Sequence, residues 1–277
     1  MTKQDIDQLL PKRKPDTHKG SYGKILLLCG SRGYTGAAAL ASMGALRTGA
    51  GLVYLGVPES IYEIEAVKLT EPVILSMPDE AGTYAVSAVD KVLSLLKGKD
   101  AVLIGPGIGI SSGSEAVVCA VLKEFNGPVV LDADGINVMI SHKDILRDRA
   151  SPTILTPHDG EFMRFGGELN DDRLKSAANF AQEYGITLLL KGHRTIITNG
   201  KTHYVNTTGN PGMATGGSGD VLAGIIVSLL GQGLLPLEAA ACAAWLHGAA
   251  GDICADEIGQ YGMLPSDIVN VLPRLLK

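Results

Sequence analysis

Six stretches of this sequence are apolar almost without interruption. They are KILLLC (Lys24 to Cys29), LVYLGV (Leu52 to Val57), AVLIGP (Ala101 to Pro106), PVVLDAD (Pro128 to Asp134), TILTP (Thr153 to Pro157) and ITLLLKG (Ile186 to Gly192). A strand with one wet face alternates polar and apolar residues, and these runs do not. They predict parallel strands covered by helices on both faces. Helical patterns stand between them. TGAAALASMGALRTGAG follows the first run, SEAVVCAVLKEF follows Pro106 with Ser111 or Ser112 as its cap, and DDRLKSAANFAQEYG stops at Gly185. Such alternation implies βαβ units with right-handed crossovers.

After Lys191 the pattern changes. RTIITNGKTHYVN sets two short runs around Asn199-Gly200, a hairpin signal, so antiparallel strands extend the sheet. From Gly217 on the chain is helical and rich in alanine. No linker or repeat interrupts it. The expected architecture is a three-layer α/β/α sandwich, formed by one domain over residues 1–277, with a mainly parallel central sheet and a late antiparallel hairpin.

Hydrophobic residues make up 45% of the chain and charged residues 19%, which supplies a sizeable core and excludes disorder. The formal net charge is -5 and the only basic cluster is PKRK at Pro11 to Lys14, so no nucleic-acid partner is expected. The N-terminal MTKQDIDQLL is too polar for a signal peptide, and no apolar run reaches the roughly 18 residues of a membrane span. A cytoplasmic protein is expected. Cys29, Cys119, Cys242 and Cys254 form no CxxC pair and read as reduced core thiols.

Ligands of open α/β sheets bind beyond the carboxyl ends of the strands. Polar or glycine-rich loops follow five of the runs: GSRGYTGAA, GPGIG, DADGIN, TPHDGE and KGHRT. The strongest signal is GGSGD, which opens the apolar helix VLAGIIVSLL. Gly216, Gly217 and Gly219 let backbone N–H groups approach a ligand, and with Ser218 they stand at the positive end of that helix. Together they predict an anion hole for a phosphate or a transferring phosphoryl group. Asp220, in the first helical turn, is placed to accept a proton from a substrate hydroxyl. GxxxxGK[ST], a strand-to-helix GxGxxG, HExxH and GxSxG are all absent, which excludes the usual P-loop and Rossmann sites.

These residues resemble the ribokinase-like superfamily, where a glycine-rich GGSGD opens a late helix on a mainly parallel sheet. Within it, HKGSYGKILLLCGS, YTGAAALASMGALRTGAGLV, GPGIG, LDADGIN, LTPHDGEF and NPGMATGGSGDVLAG resemble the ADP/ATP-dependent NAD(P)H-hydrate dehydratases, over essentially the whole chain. The resemblance implies an ADP-dependent hydro-lyase that repairs hydrated NADH and NADPH, with ATP as the less expected co-substrate. The hydroxyl at C6 of the nicotinamide ring is phosphorylated and then eliminated, giving NAD(P)H, AMP and phosphate. Asp220 would be the base, and Mg2+ would bridge the nucleotide phosphates.

By the same resemblance, Thr35, Gly36, Ala37, Ala38, Gly107, Gly109, His158 and Asp220 would hold the hydrated cofactor. Asn210 to Met213 would shape its pocket. Lys191, Gly192, His193, Arg194, Thr195 and Gly219 would contact ADP or AMP. Asp132, Asn137 and Glu161 would organise the magnesium waters, with Asp134 a further acid there; His18 is left without a ligand. Many relatives carry an additional epimerase domain ahead of this one, and the segment before Lys24 leaves no room for it. A separate NAD(P)H-hydrate epimerase is therefore expected as partner, and relatives imply a homotetramer. The runner-up is a kinase for a hydroxymethyl thiazole or pyrimidine. Thiazole kinases also resemble the chain, but usually place cysteine where Asp220 stands.

Overall fold

The computed structural model describes residues 1–276. Its elements run α1 (Lys3–Leu9), β1 (Lys24–Leu28), α2 (Thr35–Arg47), β2 (Leu52–Pro58), α3 (Glu59–Lys68) and β3 (Val73–Met77). A two-residue hairpin of β4 (Asp79–Glu80) and β5 (Thr83–Tyr84) leads to α4 (Ala88–Leu95), β6 (Ala101–Ile104), α5 (Ser112–Glu124) and β7 (Val129–Leu131). Then come α6 (Asp134–Val138), α7 (Asp144–Asp148), β8 (Thr153–Leu155), α8 (Asp159–Arg164), α9 (Arg173–Tyr184) and β9 (Thr187–Leu190). The chain closes with β10 (Ile196–Thr198), β11 (His203–Val205), α10 (Ser218–Gly231), α11 (Pro236–Ile258) and α12 (Pro265–Leu275).

Nine strands form one sheet in the order β11-β10-β9-β8-β7-β6-β1-β2-β3. The six predicted runs pair in parallel, and β10 and β11 extend β9 antiparallel, as the sequence led us to expect. The hairpin turn differs in detail. Asn199 and Gly200 begin a four-residue connection, in which Gly200 sits at φ 84° and the Asn199 side chain accepts from the amides of Lys201 and Thr202. The edge strand β3 and the short β4–β5 hairpin have no counterpart among the predicted runs. β3 pairs with β2 at the edge of the sheet and is only partly covered, so VILSM lacks the two dry faces of the other runs.

The continuous apolar runs follow from burial on both faces. Along β1, Ile25 and Leu27 face a core built with α2, α10, α11 and α12, while Leu26 and Leu28 face a second core built with α4, α5, α8 and α9. All four are fully buried. The sheet order reverses direction at β1, between β2 on one side and β6 on the other. A crevice opens at such a point beyond the strand ends.

Helices α2 and α10 lie against each other almost backbone to backbone. A Cβ at Gly224 would stand 2.2 Å from the carbonyl oxygen of Ala41, and one at Gly44 would stand 2.7 Å from that of Val221. Glycine is therefore required at both contacts, and the amino ends of both helices are brought to the crevice. Gly224→Ala is expected to destabilise the fold by about 1–3 kcal/mol through overpacking. Thermal unfolding followed by circular dichroism checks this; an unchanged Tm would mean that the two helices separate freely.

Candidate active site

The loops after β1 and β6 meet across the crevice. The Gly30 amide donates to the Pro106 carbonyl at 2.8 Å, and the Ser31 hydroxyl to the Gly107 carbonyl at 2.7 Å. Gly107, at φ 64°, lies so close to Tyr34 and Ala37 that a Cβ there would be 2.9 Å from each side chain. The predicted cofactor residues Thr35 to Ala38, in the first turn of α2, are thus adjacent to Gly107. Gly109 is held from below, its amide donating to Asp134 Oδ2 at 3.0 Å. Asp134 also accepts from the Asn137 amide, whose oxygen accepts in turn from Arg164. Asp134 and Asn137 are therefore loop-bracing groups. Each polar atom of the Asn137 side chain makes one such bond.

The centre of the site is a charge cluster contributed by four elements. Asp132 follows β7 and is buried; its Oδ1 accepts from Lys191 Nζ at 2.8 Å and from the Thr156 hydroxyl at 2.8 Å. Glu161, on α8, lies 3.8 Å from the same ammonium. Burial alone would lower the pKa of Lys191, but the charges of Asp132, Glu161 and Asp220 outweigh it and hold the ammonium above its ordinary value. Gly219 looks into this cluster: a Cβ there would lie 3.5 Å from Lys191 Nζ and 3.9 Å from Asp132 Oδ2.

At the mouth of α10, Gly217 takes a left-handed conformation at φ 95° as the N-cap, with no side-chain cap. Among the described residues, no group accepts from the amides of Gly216, Gly217, Gly219 or Asp220. The Ser218 amide is different. It closes a turn onto the Thr215 carbonyl at 3.3 Å, so it drops out of the expected anion hole and leaves the glycines and Asp220. The Asp220 carboxyl is pushed up to about 7, by burial first and the neighbouring charge of Asp132 second, against the opposing pull of Lys191. A carboxylate poised near neutrality is suited to general-base work.

His158 is the N-cap of α8. Its Nδ1 accepts from the amides of Gly160 at 3.0 Å and Glu161 at 3.4 Å, while Glu161 Oε2 accepts from the His158 amide. This capping box engages Nδ1 as an acceptor, while Nε2 of the half-exposed ring lies 3.6 Å from Glu161 Oε1. His18 makes the same cap ahead of β1, at the opposite end of the strands.

In KGHRT, His193 and Arg194 are exposed, and Arg194 holds a left-handed φ of 56°. Thr195 closes the loop through its hydroxyl onto the Gly192 carbonyl. Two supports were not anticipated. Arg173 donates to the Lys191 carbonyl at 2.7 Å and to Asp159 at 2.6 Å, tying the loops after β8 and β9 together. Lys68 donates to the Thr35 hydroxyl at 2.6 Å. No local pattern marks either residue, since each contact spans the fold.

Comparison with known proteins gives the family. A sequence model of the NAD(P)H-hydrate dehydratase family matches residues 25–274. The bifunctional NAD(P)H-hydrate repair enzyme Nnr of Moorella thermoacetica is 44% identical over 275 residues, which are 97% of this chain and 52% of that protein. The chain thus spans about half the length of the curated relatives it matches. The crystal structure of the Bacillus subtilis ADP/ATP-dependent NAD(P)H-hydrate dehydratase, co-crystallised with ATP and Mg2+, superposes with a TM-score of 0.86 at 32% identity. That match covers 99% of this chain and 96% of the other. Ribokinase of Arabidopsis thaliana, at 14% identity and a TM-score of 0.58 over 90% of this chain and 98% of its own, shares the fold alone.

The space that Gly219 leaves open beside Lys191 gives a direct test of where an anion sits. A methyl there makes only ordinary contact at 3.5 Å, and alanine favours a helix over glycine by about 1 kcal/mol. Gly219→Ala is expected to keep or raise the Tm while weakening ADP affinity about tenfold, because the methyl takes the space beside Lys191 and holds the anion off the retained amide, at the cost of about one hydrogen bond to a charged group. Calorimetric titration with ADP measures the second effect, and full affinity would move the anion away from Gly219.

Proposed function

The chain belongs to the NAD(P)H-hydrate dehydratase family, whose members of ribokinase-like fold it matches over nearly its whole length; from that premise we propose that it is an ADP-dependent (S)-NAD(P)H-hydrate dehydratase. The carrying observation is that, among the described residues, four amides at the mouth of α10 have no acceptor, and that Gly219 among them faces the Lys191 ammonium and Asp132 beside the Asp220 carboxyl.

In this reading the nucleotide lies along KGHRT, with its terminal phosphoryl group before Gly216, Gly217 and Gly219. The hydrated nicotinamide lies between the amino end of α2 and GPGIG, within reach of the half-exposed His158 ring. Asp220 takes the proton of the C6 hydroxyl as that oxygen attacks the phosphoryl group. The new ester bond forms as the bond to the nucleotide breaks, releasing AMP. Phosphate is a far better leaving group than hydroxide. The ring nitrogen lone pair expels it, a ring proton is lost, and NAD(P)H is restored. The amides hold charge developing on the phosphoryl oxygens without reorganising.

Lys191 is the one ammonium facing three carboxylates there, so incoming phosphates need further positive charge. We place Mg2+ on the nucleotide phosphates, with Asp132 and Glu161 as its outer partners. Among the described residues no cluster of three His, Cys, Asp or Glu is shaped to cage an ion directly. Magnesium keeps much of its water and is commonly held through substrate phosphates. Bound there, it would neutralise phosphate charge. An epimerase activity would supply the reactive stereoisomer, and we read the working unit as a single dehydratase domain that forms a cytoplasmic homotetramer, which sedimentation of the purified chain checks.

Incubation with hydrated NADH or NADPH, ADP and magnesium should restore the reduced-nicotinamide absorbance. No return, with phosphorylation of a hydroxymethyl thiazole or pyrimidine instead, would establish the kinase reading. The base must be ionised, so kcat/KM should rise with pH through a midpoint near 7, the value at which Asp220 titrates. Asp220→Asn should abolish turnover.

The same shift has a stability sign. The folded pKa lies above the ordinary carboxylate value of 3.8, so the folded state binds more protons between 3.8 and about 7 and loses stability as pH rises through that window. Asp220→Asn removes the penalty, and its Tm at pH 8 should exceed that of the natural protein. A lower Tm would show that the ionised carboxylate supports the fold.

A further inference from the structure

The loop that carries the free amides does not stand alone: from Asn206 to Ser218 it is fastened along one side of α11. Asn206 donates to the Ala244 carbonyl at 3.1 Å, and the Thr208 hydroxyl to the Trp245 carbonyl at 3.0 Å. The Gly209 amide and the Asn210 side chain donate to the two oxygens of Asp252, at 2.8 and 3.0 Å. Gly248 and Gly251 make room, since a Cβ at either would fall 2.3 Å from Thr208 Oγ1 or 2.4 Å from Met213 Sδ. The last fastening is at the mouth of α10, where the Ser218 hydroxyl lies 3.3 Å from His247 Nε2. Both side chains are buried.

His247 is the buried polar side chain on the alanine-rich stretch of α11 that faces the mouth of α10. Its one hydrogen-bonding partner among the described residues is Ser218. Burial, helped by the nearby Lys191 ammonium, pushes its pKa down to about 4, so the ring stays neutral at physiological pH. A neutral imidazole can donate to or accept from a hydroxyl without adding charge beside Lys191. Ser218 cannot use its own amide to face an anion, and its hydroxyl instead points back to α11.

We propose that His247 is a positioning residue: through the Ser218 hydroxyl it fixes the first turn of α10, so that the amides of Gly216, Gly217 and Gly219 and the carboxylate of Asp220 converge on one phosphoryl group. This rests on the dehydratase reading for its reaction, though not for its anion.

The test compares His247→Leu, Ser218→Ala and the double variant in turnover of hydrated NADH with ADP, and in calorimetric ADP affinity. Each single variant should lower kcat about tenfold, the factor a single hydrogen bond contributes, with the KM for the hydrated dinucleotide unchanged. The double variant should be no worse than the poorer single. His247→Gln, which can still reach Ser218, should restore most of the loss, while the shorter His247→Asn should not. Losses that multiply in the double variant, or equal kcat in the Gln and Asn variants, would overturn the proposal. The Gln and Asn pair decides the matter even where the leucine variant fails to fold. If the natural protein turned over no hydrated dinucleotide, the dehydratase reading would fail, and coupling between His247 and Ser218 would still be read from ADP affinity.

Discussion

One ammonium holds this site together. Lys191 meets Asp132 at 2.8 Å and Glu161 at 3.8 Å, with Asp220 close enough to raise its pKa further, in a space largely closed to water. Removing one member of such a cluster leaves like charges facing each other with little solvent to screen them. Much of the surrounding structure serves to deliver these groups from separate parts of the chain. The ends of β7 and β9 bring Asp132 and Lys191, α8 brings Glu161, and α10 brings Asp220. The parallel sheet makes this possible because every one of those strands ends at the same rim.

Burial and charge act together on the remaining member of the cluster. Burial first, and the charge of Asp132 second, push the Asp220 carboxyl up to about 7 against the pull of Lys191, so it can bind and release a proton at ordinary pH. Backbone amides add positive potential without adding an ionisable group. The loop therefore sets the proposed base and the proposed anion hole within five residues of each other.

The fold was legible in the sequence wherever burial alone decided the pattern. KILLLC, AVLIGP and PVVLDAD could be read as strands because both of their faces are dry. VILSM was missed because β3 is an edge strand and only partly covered. GGSGD was legible because its glycines and its acid lie side by side in the chain. The supports were not. Arg173 reaches Lys191 across 18 positions, His247 reaches Ser218 across 29 and Asp252 reaches Asn210 across 42, so no local spacing marks them. The amide of Ser218 looked as free as its neighbours in sequence, and only the turn onto Thr215 shows otherwise. His158 read as a binding residue, and its capping box shows that it also starts a helix.

The tight seam between α2 and α10 has a mechanical meaning. Where Gly224 and Gly44 let two backbones touch, one helix cannot slide along the other without collision. The amino end of α2 is the proposed seat of one substrate and the amino end of α10 that of the other. The seam therefore acts as a fixed caliper between two reactants. A helix advances about 1.5 Å per residue, and misplacement by about 1 Å can reduce a rate on the order of a hundredfold. Sequence change deep in the seam, far from either ligand, would be felt as lost alignment before it was felt as lost binding.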